Sequence, residues 1–181
     1  LLTVETSDDR TLFFDLLPVF FNTASGFKVK VKLFTVPGQV IHNATRRIVL
    51  QGADGVAFIA DSRVSQTRGN NESFANLKQN LRDNGLDFED IALVIQFNKR
   101  DLEGIRSEAE VDKIAKKGRE PVFKAIAIQG QGVSETFRGL AALSWKRLEG
   151  KFHFAERFGV SHEHFMSQID ALFRPVKGGS R

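Results

Sequence analysis

Three polar side chains follow an apolar run in the middle of the chain, within the sequence VIQFNKRDLEG from Val94 to Gly104. They are the amide of Asn98, the ammonium of Lys99 and the carboxylate of Asp101. A carboxylate only accepts hydrogen bonds, so Asp101 could accept from the two adjacent donors of guanine, its N1–H and 2-amino groups. Adenine lacks this pair of donors and would leave the carboxylate without a partner. The pattern therefore favours a guanine-binding loop over the alternative, a solvated surface turn.

The other two side chains of this motif suit the same role. The long apolar stem of Lys99 can cover the face of a ring. The amide of Asn98 both donates and accepts hydrogen bonds, which suits a residue that joins neighbouring loops. We therefore expect Asn98, Lys99 and Asp101 to act together.

Two shorter patterns could serve a phosphate group. In TVPGQ, Gly38 would let a backbone N–H approach an anion closely, and Gln39 could orient a water molecule towards phosphorus. Earlier in the chain, Thr11 has a hydroxyl that can ligate Mg²⁺, and Arg10 can offset charge on a phosphoryl group. Taken alone, the first pattern is also typical of a Pro-Gly turn, and the second is better explained as a polar loop.

The surrounding segments predict a layered α/β fold in one domain. Apolar runs at 55–60, 91–97 and 122–128 are typical of strands buried in a parallel sheet. Helical spacing of apolar residues predicts helices at 41–50, 71–84, 107–117, 133–148 and 161–173, and the segments 11–21 and 27–36 predict a hairpin. Ligands of open parallel sheets lie at the carboxyl ends of the strands. We therefore expect 35–39, 98–101 and 126–128 to lie near one another.

Composition excludes several functional classes. The 181 residues include no cysteine, so the chain has no disulfide and no thiolate metal site. The net charge of +4 is small and the basic residues are scattered, for example as the alternating Lys28, Lys30 and Lys32 of a solvated strand face. We therefore expect no nucleic-acid partner and, without a long apolar segment, no membrane insertion. His162 and His164 would point to different faces of a helix, which disfavours a metal site there.

The chain closely resembles the MglA family in four segments, which are, in order, DRTLFFDLLP, GFKVKVKLFTVPGQV, GVAFIADS and QFNKRDL. These small Ras-like GTPases set front–rear polarity in bacterial gliding and twitching motility. The resemblance covers about residues 1–148 and implies a Ras-like GTPase domain over 1–150, with a mixed, mostly parallel sheet and flanking helices. It also implies a GTP/GDP switch that hydrolyses GTP with Mg²⁺, located in the cytoplasm and at the cell pole.

The resemblance further implies roles on the phosphate side of the site. By position, Arg10 resembles an internal arginine finger, and Thr11 resembles the threonine that binds Mg²⁺ and senses the γ-phosphate. Gly38 would contact the γ-phosphate, and Gln39 would position the attacking water. In the family, the strand at about 11–20 shifts its register when GTP replaces GDP.

The resemblance assigns the guanine side and the partners as well. Asn98, Lys99 and Asp101 would bind the base, and the backbone N–H of Ala127 would donate to the guanine oxygen. A roadblock-type, MglB-like activating protein would stimulate hydrolysis. Polarity and motility effectors would bind the GTP form.

The chain departs from the family in one respect, since it contains no G-x-x-x-x-G-K-[ST] phosphate-binding loop. In the family this loop precedes the segment of Arg10, together with the first strand and first helix, so we expect these parts to lie before Leu1. Without them, we expect an isolated chain of poor stability that binds nucleotide weakly and is inactive. Two alternatives are a relative without the loop that acts as a protein-binding scaffold and, less favoured, a nucleotide-free signalling domain. Residues 151–181 lie outside the resemblance and predict a C-terminal helical extension with a loose tail.

Overall fold

The computed structural model of the chain describes residues 16–22, 26, 28–36 and 43–174. Within these ranges the strands are β1 Leu16–Asn22, β2 Lys28–Phe34, β3 Gly55–Asp61, β4 Ala92–Asn98 and β5 Val122–Lys124. The α-helices are α1 Asn43–Leu50, α2 Thr67–Asp83, α3 Glu108–Lys117, α4 Val133–Phe152, α5 Phe154–Phe158 and α6 His162–Ala171. Strands and helices alternate from β3 to α4, as the sequence predicted.

The central sheet is parallel, in the order β3–β4–β5. Strands β3 and β4 are paired over their full lengths, from Gly55 opposite Ala92 to Asp61 opposite Asn98. Five of the seven residues of β4 are buried, because helices pack on both of its faces. The prediction of an α/β fold with a parallel sheet is confirmed.

Opposite faces of the sheet pack against different helices. Leu93 belongs to a buried cluster with Leu77 and Leu81 of α2. Its neighbour Ala92 points to the other face. On that face Gly55 of β3 lies so close to the Ala92 methyl and to side chains of α4 that an added Cβ would contact them. Another buried cluster joins Val111 of α3 to the ends of β3 and β4. Burial of these apolar side chains holds the helices on the sheet.

Strands β1 and β2 form the predicted antiparallel hairpin, with Leu16 opposite Phe34. Burial alternates along β2, so that Lys28, Lys30 and Lys32 are exposed. The residues between them, Val29 and Val31, pack against a cluster of buried side chains from α4 and α6. The prediction of one solvated face is thus confirmed. The pairing of β1 with β2 continues through Pro18, which lies opposite Lys32.

The last helix, α6, packs on α4. Ser161 caps its first turn, where the Ser161 hydroxyl accepts a hydrogen bond from the His164 N–H at 3.1 Å. Ile169 is fully buried in one cluster with Trp145 and Phe165, and the rings of these two aromatic residues stack at 4.8 Å. Among the described residues, no helix combines the length and the apolar character needed to cross a membrane.

Strand β5 is shorter than predicted. We expected β5 to reach residue 128, but it ends at Lys124, and Ala127–Gln129 form a single 3₁₀ turn. The chain folds back here because Ile126 and Gln131 exchange backbone hydrogen bonds at 3.0 and 3.2 Å. This places Ala127 in the turn that follows the strand.

Candidate functional site

Asn98 joins the ends of the central strands. Its backbone carbonyl at the end of β4 accepts a hydrogen bond from the Ser62 N–H at 2.9 Å, which ties it to the end of β3. Its side-chain oxygen accepts a hydrogen bond from the Ala127 N–H at 2.9 Å, which ties it to the turn after β5. The Asn98 Nδ2 group makes no hydrogen bond within the described part of the chain, so a donor remains available at this edge.

Lys99 adopts a left-handed backbone conformation with φ of 64°. Such a conformation is uncommon for residues other than glycine. The Lys99 ammonium donates to the Asp61 carboxylate at 2.9 Å, and the Lys99 side chain remains about half exposed at 49%. The stem of this side chain therefore runs from the loop after β4 to the end of β3, across the edge of the sheet.

Asp101 is exposed to solvent. Within the described ranges it forms neither a hydrogen bond nor an ion pair, which leaves both carboxylate oxygens available to accept hydrogen bonds. The turn that presents it is closed by the Leu102 N–H, which donates to the Lys99 carbonyl at 3.2 Å. The structure thus brings three predicted residues, Asn98, Lys99 and Asp101, together with Ala127 at one edge of the sheet.

Sequence reasoning missed Asp61, the last residue of β3. The Arg63 side chain donates to the Asp61 carboxylate at 2.7 and 3.1 Å, and the Arg63 N–H donates at 3.0 Å. The hydrogen bond from the Arg63 side chain holds the pKa of the Asp61 carboxyl well below its ordinary value, against the effect of burial, and the Arg63 N–H and Lys99 ammonium lower it further. Asp61 is therefore a carboxylate at neutral pH.

Sequence reasoning also missed Arg100, which lies between Lys99 and Asp101 in the chain. Its side chain is only 9% exposed and donates to the Arg106 carbonyl at 2.7 Å and to the Glu108 carboxylate. Its backbone N–H donates to the Ala125 carbonyl at 3.1 Å. Hydrogen bonds from Lys124 and then Arg100 hold the pKa of Glu108 below its ordinary value. Arg100 thus anchors the motif to the start of α3 and to the end of β5.

The phosphate side of the predicted site lies outside the described residues. Arg10, Thr11, Gly38 and Gln39 all belong to that part of the chain, and their roles stay predictions. In the described ranges, no group of three or more His, Cys, Asp or Glu side chains could hold a metal ion.

The mutual gliding-motility protein MglA of Myxococcus xanthus is 43% identical to the chain over 143 residues, which span 79% of the chain and 73% of MglA. The chain belongs to the MglA family. Its parallel sheet with flanking helices agrees with the Ras-like GTPase fold of that family. The family resemblance drawn from the sequence is therefore confirmed. No protein-family profile matches the chain.

Proposed function

We propose that the chain is a GTP-binding and GTP-hydrolysing switch of the MglA type that controls cell polarity and gliding motility. Membership of the MglA family supports this proposal, and the name of the relative associates that protein with gliding motility. The observation that carries the guanine assignment is the hydrogen bond between the Asn98 side chain and the Ala127 N–H. It joins the loop that would bind the base to the turn that would bind its oxygen.

The available donors and acceptors fit guanine. The Asp101 carboxylate would accept from the N1–H and 2-amino groups, and the Asn98 Nδ2 group would donate to the N7 acceptor of the base. The guanine oxygen would accept a hydrogen bond from the Ala127 N–H. This N–H would then either donate to both the base and the Asn98 side-chain oxygen, or donate to the base alone. The stem of Lys99 would cover one face of the ring. Adenine would leave Asp101 unsatisfied.

The phosphate side of the proposal rests on the sequence pattern. The Thr11 hydroxyl would ligate Mg²⁺, which would bring charge stabilisation to the phosphates, and the Gly38 N–H would donate to the γ-phosphate. Gln39 would orient the attacking water, and Arg10 would stabilise charge that develops on the transferred phosphoryl group. Hydrolysis would then depend mainly on positioning and on charge stabilisation.

Nucleotide binding by the full-length protein tests the proposal directly. Fluorescent GDP should bind, and GTP should displace it far better than ATP does. Equal displacement by ATP, or no binding, would show the guanine assignment to be wrong.

Two substitutions test the hydrolysis step separately. Gln39→Leu and Arg10→Ala should leave GTP affinity near normal and slow hydrolysis by at least about tenfold, because each would act only in the transition state. The release of inorganic phosphate under single-turnover conditions measures this rate. A variant that hydrolyses GTP at the original rate would remove that residue from the catalytic assignment.

The proposal extends to partners and location. A roadblock-type, MglB-like protein would accelerate hydrolysis, and polarity and motility effectors would bind the GTP form in the cytoplasm and at the cell pole. Residues 1–150 would form the GTPase domain, and 151–181 would form a helical extension. Phosphate release measured with and without the purified activating protein tests the first of these partners.

A further inference from the structure

Lys99 is held at both ends. Its backbone has a positive φ, and its ammonium binds a carboxylate on a different strand, Asp61, at 2.9 Å. A free lysine side chain samples many rotamers, and ordering it costs conformational entropy. The ion pair with Asp61 selects the rotamers in which the stem crosses the sheet edge.

Asp61 is itself fixed on more than one side. Besides its bonds to Arg63, its backbone N–H donates to the Asn70 side-chain oxygen at 3.1 Å, and its carbonyl accepts from the Asn70 amide at 2.8 Å. The Asp61 side chain is only 14% exposed. Since Arg63 already neutralises this carboxylate and donates to both of its oxygens, the ion pair with Lys99 is additional to what a buried carboxylate requires.

We infer that Asp61 is a positioning residue that holds the Lys99 stem in place for the guanine base, an inference that rests on the proposed function. The end of β3 acts through Lys99 and does not touch the nucleotide. Preorganisation of the stem reduces the entropy lost when the base binds and therefore slows nucleotide release.

The test measures release of fluorescent GDP from the full-length protein. Asp61→Asn keeps the size of the side chain and can still accept a hydrogen bond from Arg63, but it removes the charge that attracts the Lys99 ammonium. Because the pair is partly exposed, release should become about two- to fivefold faster. Asp61→Glu restores the charge and should release GDP at a rate closer to that of the unsubstituted protein.

A second background separates positioning from general stabilisation. Lys99→Met keeps an apolar stem and removes the ammonium, so Asp61→Asn should not accelerate release any further in that background. The thermal midpoint of each variant is measured in parallel. Asp61 also stabilises the fold through Arg63, and Asp61→Asn should reduce this stabilisation by the same amount with Lys99 and with Met at position 99. Glu72→Gln is the matched control, because it removes the charge from an exposed ion pair with Arg68 on α2 and should leave release unchanged.

Each outcome decides the inference. Equal release from the Asp61→Asn and unsubstituted proteins would overturn it, and so would an equal acceleration in the Lys99→Met background. If Asp61→Asn does not fold, Lys99→Met alone must accelerate release, and an unchanged rate would overturn the inference. A protein that binds no guanine nucleotide would overturn both this inference and the proposed function, whereas unchanged release from a protein that binds GDP would overturn this inference alone.

Discussion

Replacing Asp101 with asparagine should change the base preference of the protein from guanine to xanthine. Asparagine keeps one acceptor, which can still bind the N1–H of the base, but it places an N–H group opposite the 2-amino donor of guanine. Xanthine carries a carbonyl at that position, and this carbonyl can accept the new N–H. A single change of side-chain chemistry should therefore weaken GTP binding and favour xanthosine triphosphate.

The structure sets the size of this effect. Asp101 is exposed and has no partner within the described ranges, so its replacement should change the free energy of unfolding by less than about 0.5 kcal/mol. Loss of one charge-assisted hydrogen bond and the new opposition of two donors should cost about 2–3 kcal/mol of GTP binding, a factor of about 30–150 in affinity.

Competition against a fluorescent guanine nucleotide measures both halves of the prediction on the full-length protein. The unsubstituted protein should prefer GTP to xanthosine triphosphate, and the Asp101→Asn variant should reverse that order. Asp54→Asn is a matched control. Asp54 is also exposed, but it lies just before Gly55, whereas the candidate site lies at the other end of β3, near Asp61. Its affinities should match those of the unsubstituted protein.

Two results would refute the reasoning. If Asp101→Asn bound GTP as tightly as the unsubstituted protein, Asp101 would not contact the base. If GTP affinity fell but the affinity for xanthosine triphosphate fell equally, the substitution would have disturbed the loop rather than the pattern of donors and acceptors.

Three further predictions concern stability. Arg100→Met should lower the free energy of unfolding by about 1–3 kcal/mol in chemical denaturation, because the Arg106 carbonyl would lose the hydrogen bond that the Arg100 side chain donates. Arg68→Met, which removes an exposed ion pair, should not lower it, and equal losses in the two variants would contradict this reasoning. Gly130→Ala should cost about 1–2 kcal/mol because of its positive φ of 74°, since nothing lies within 4 Å of the new methyl group. Gly132→Ala should cost clearly more, because its Cβ would lie 2.0 Å from a backbone carbonyl oxygen, and equal costs would argue against this close approach. Ile169→Ala should cost about 2–5 kcal/mol in thermal unfolding, and an unchanged midpoint would show that α6 does not pack on α4 in solution.

The regular elements of the fold could be predicted from local sequence. The apolar run GVAFIA predicted a strand, and it lies within β3 Gly55–Asp61. This strand is less buried than a run without alternation predicts, since Ile59 is 51% exposed. The predicted helix at 107–117 corresponds to α3 Glu108–Lys117, and the structure shows that Ser107 and Glu110 form a capping box at its start. The end of β5 was not predictable in this way. It depends on backbone bonds between Ile126 and Gln131, and the apolar run continues past it.

The candidate site was only half predictable for a related reason. Asn98, Lys99 and Asp101 lie within four consecutive positions of the chain, and their combined donors and acceptors suggest a ligand before any fold is known. Asp61 and Arg100 act through tertiary contacts, with Lys99 in one case and with Arg106 in the other. In the sequence, Asp61 reads as an ordinary polar residue at a strand end, and Arg100 reads as one more surface charge.

The contact between Asp61 and Lys99 follows from the register of two strands rather than from the loop that contains Lys99. Strands β3 and β4 each have seven residues and pair in phase, so Asp61 lies opposite Asn98 and one residue before the position of Lys99. A register shift of one residue would turn every side chain of β3 to the other face. It would also turn the Asp61 carboxylate away from the Lys99 ammonium. The buried side chains that fix this register, such as Leu93 against α2, therefore also determine where the Lys99 side chain points. A core substitution that loosens the pairing of β3 and β4 should weaken nucleotide binding without touching the site.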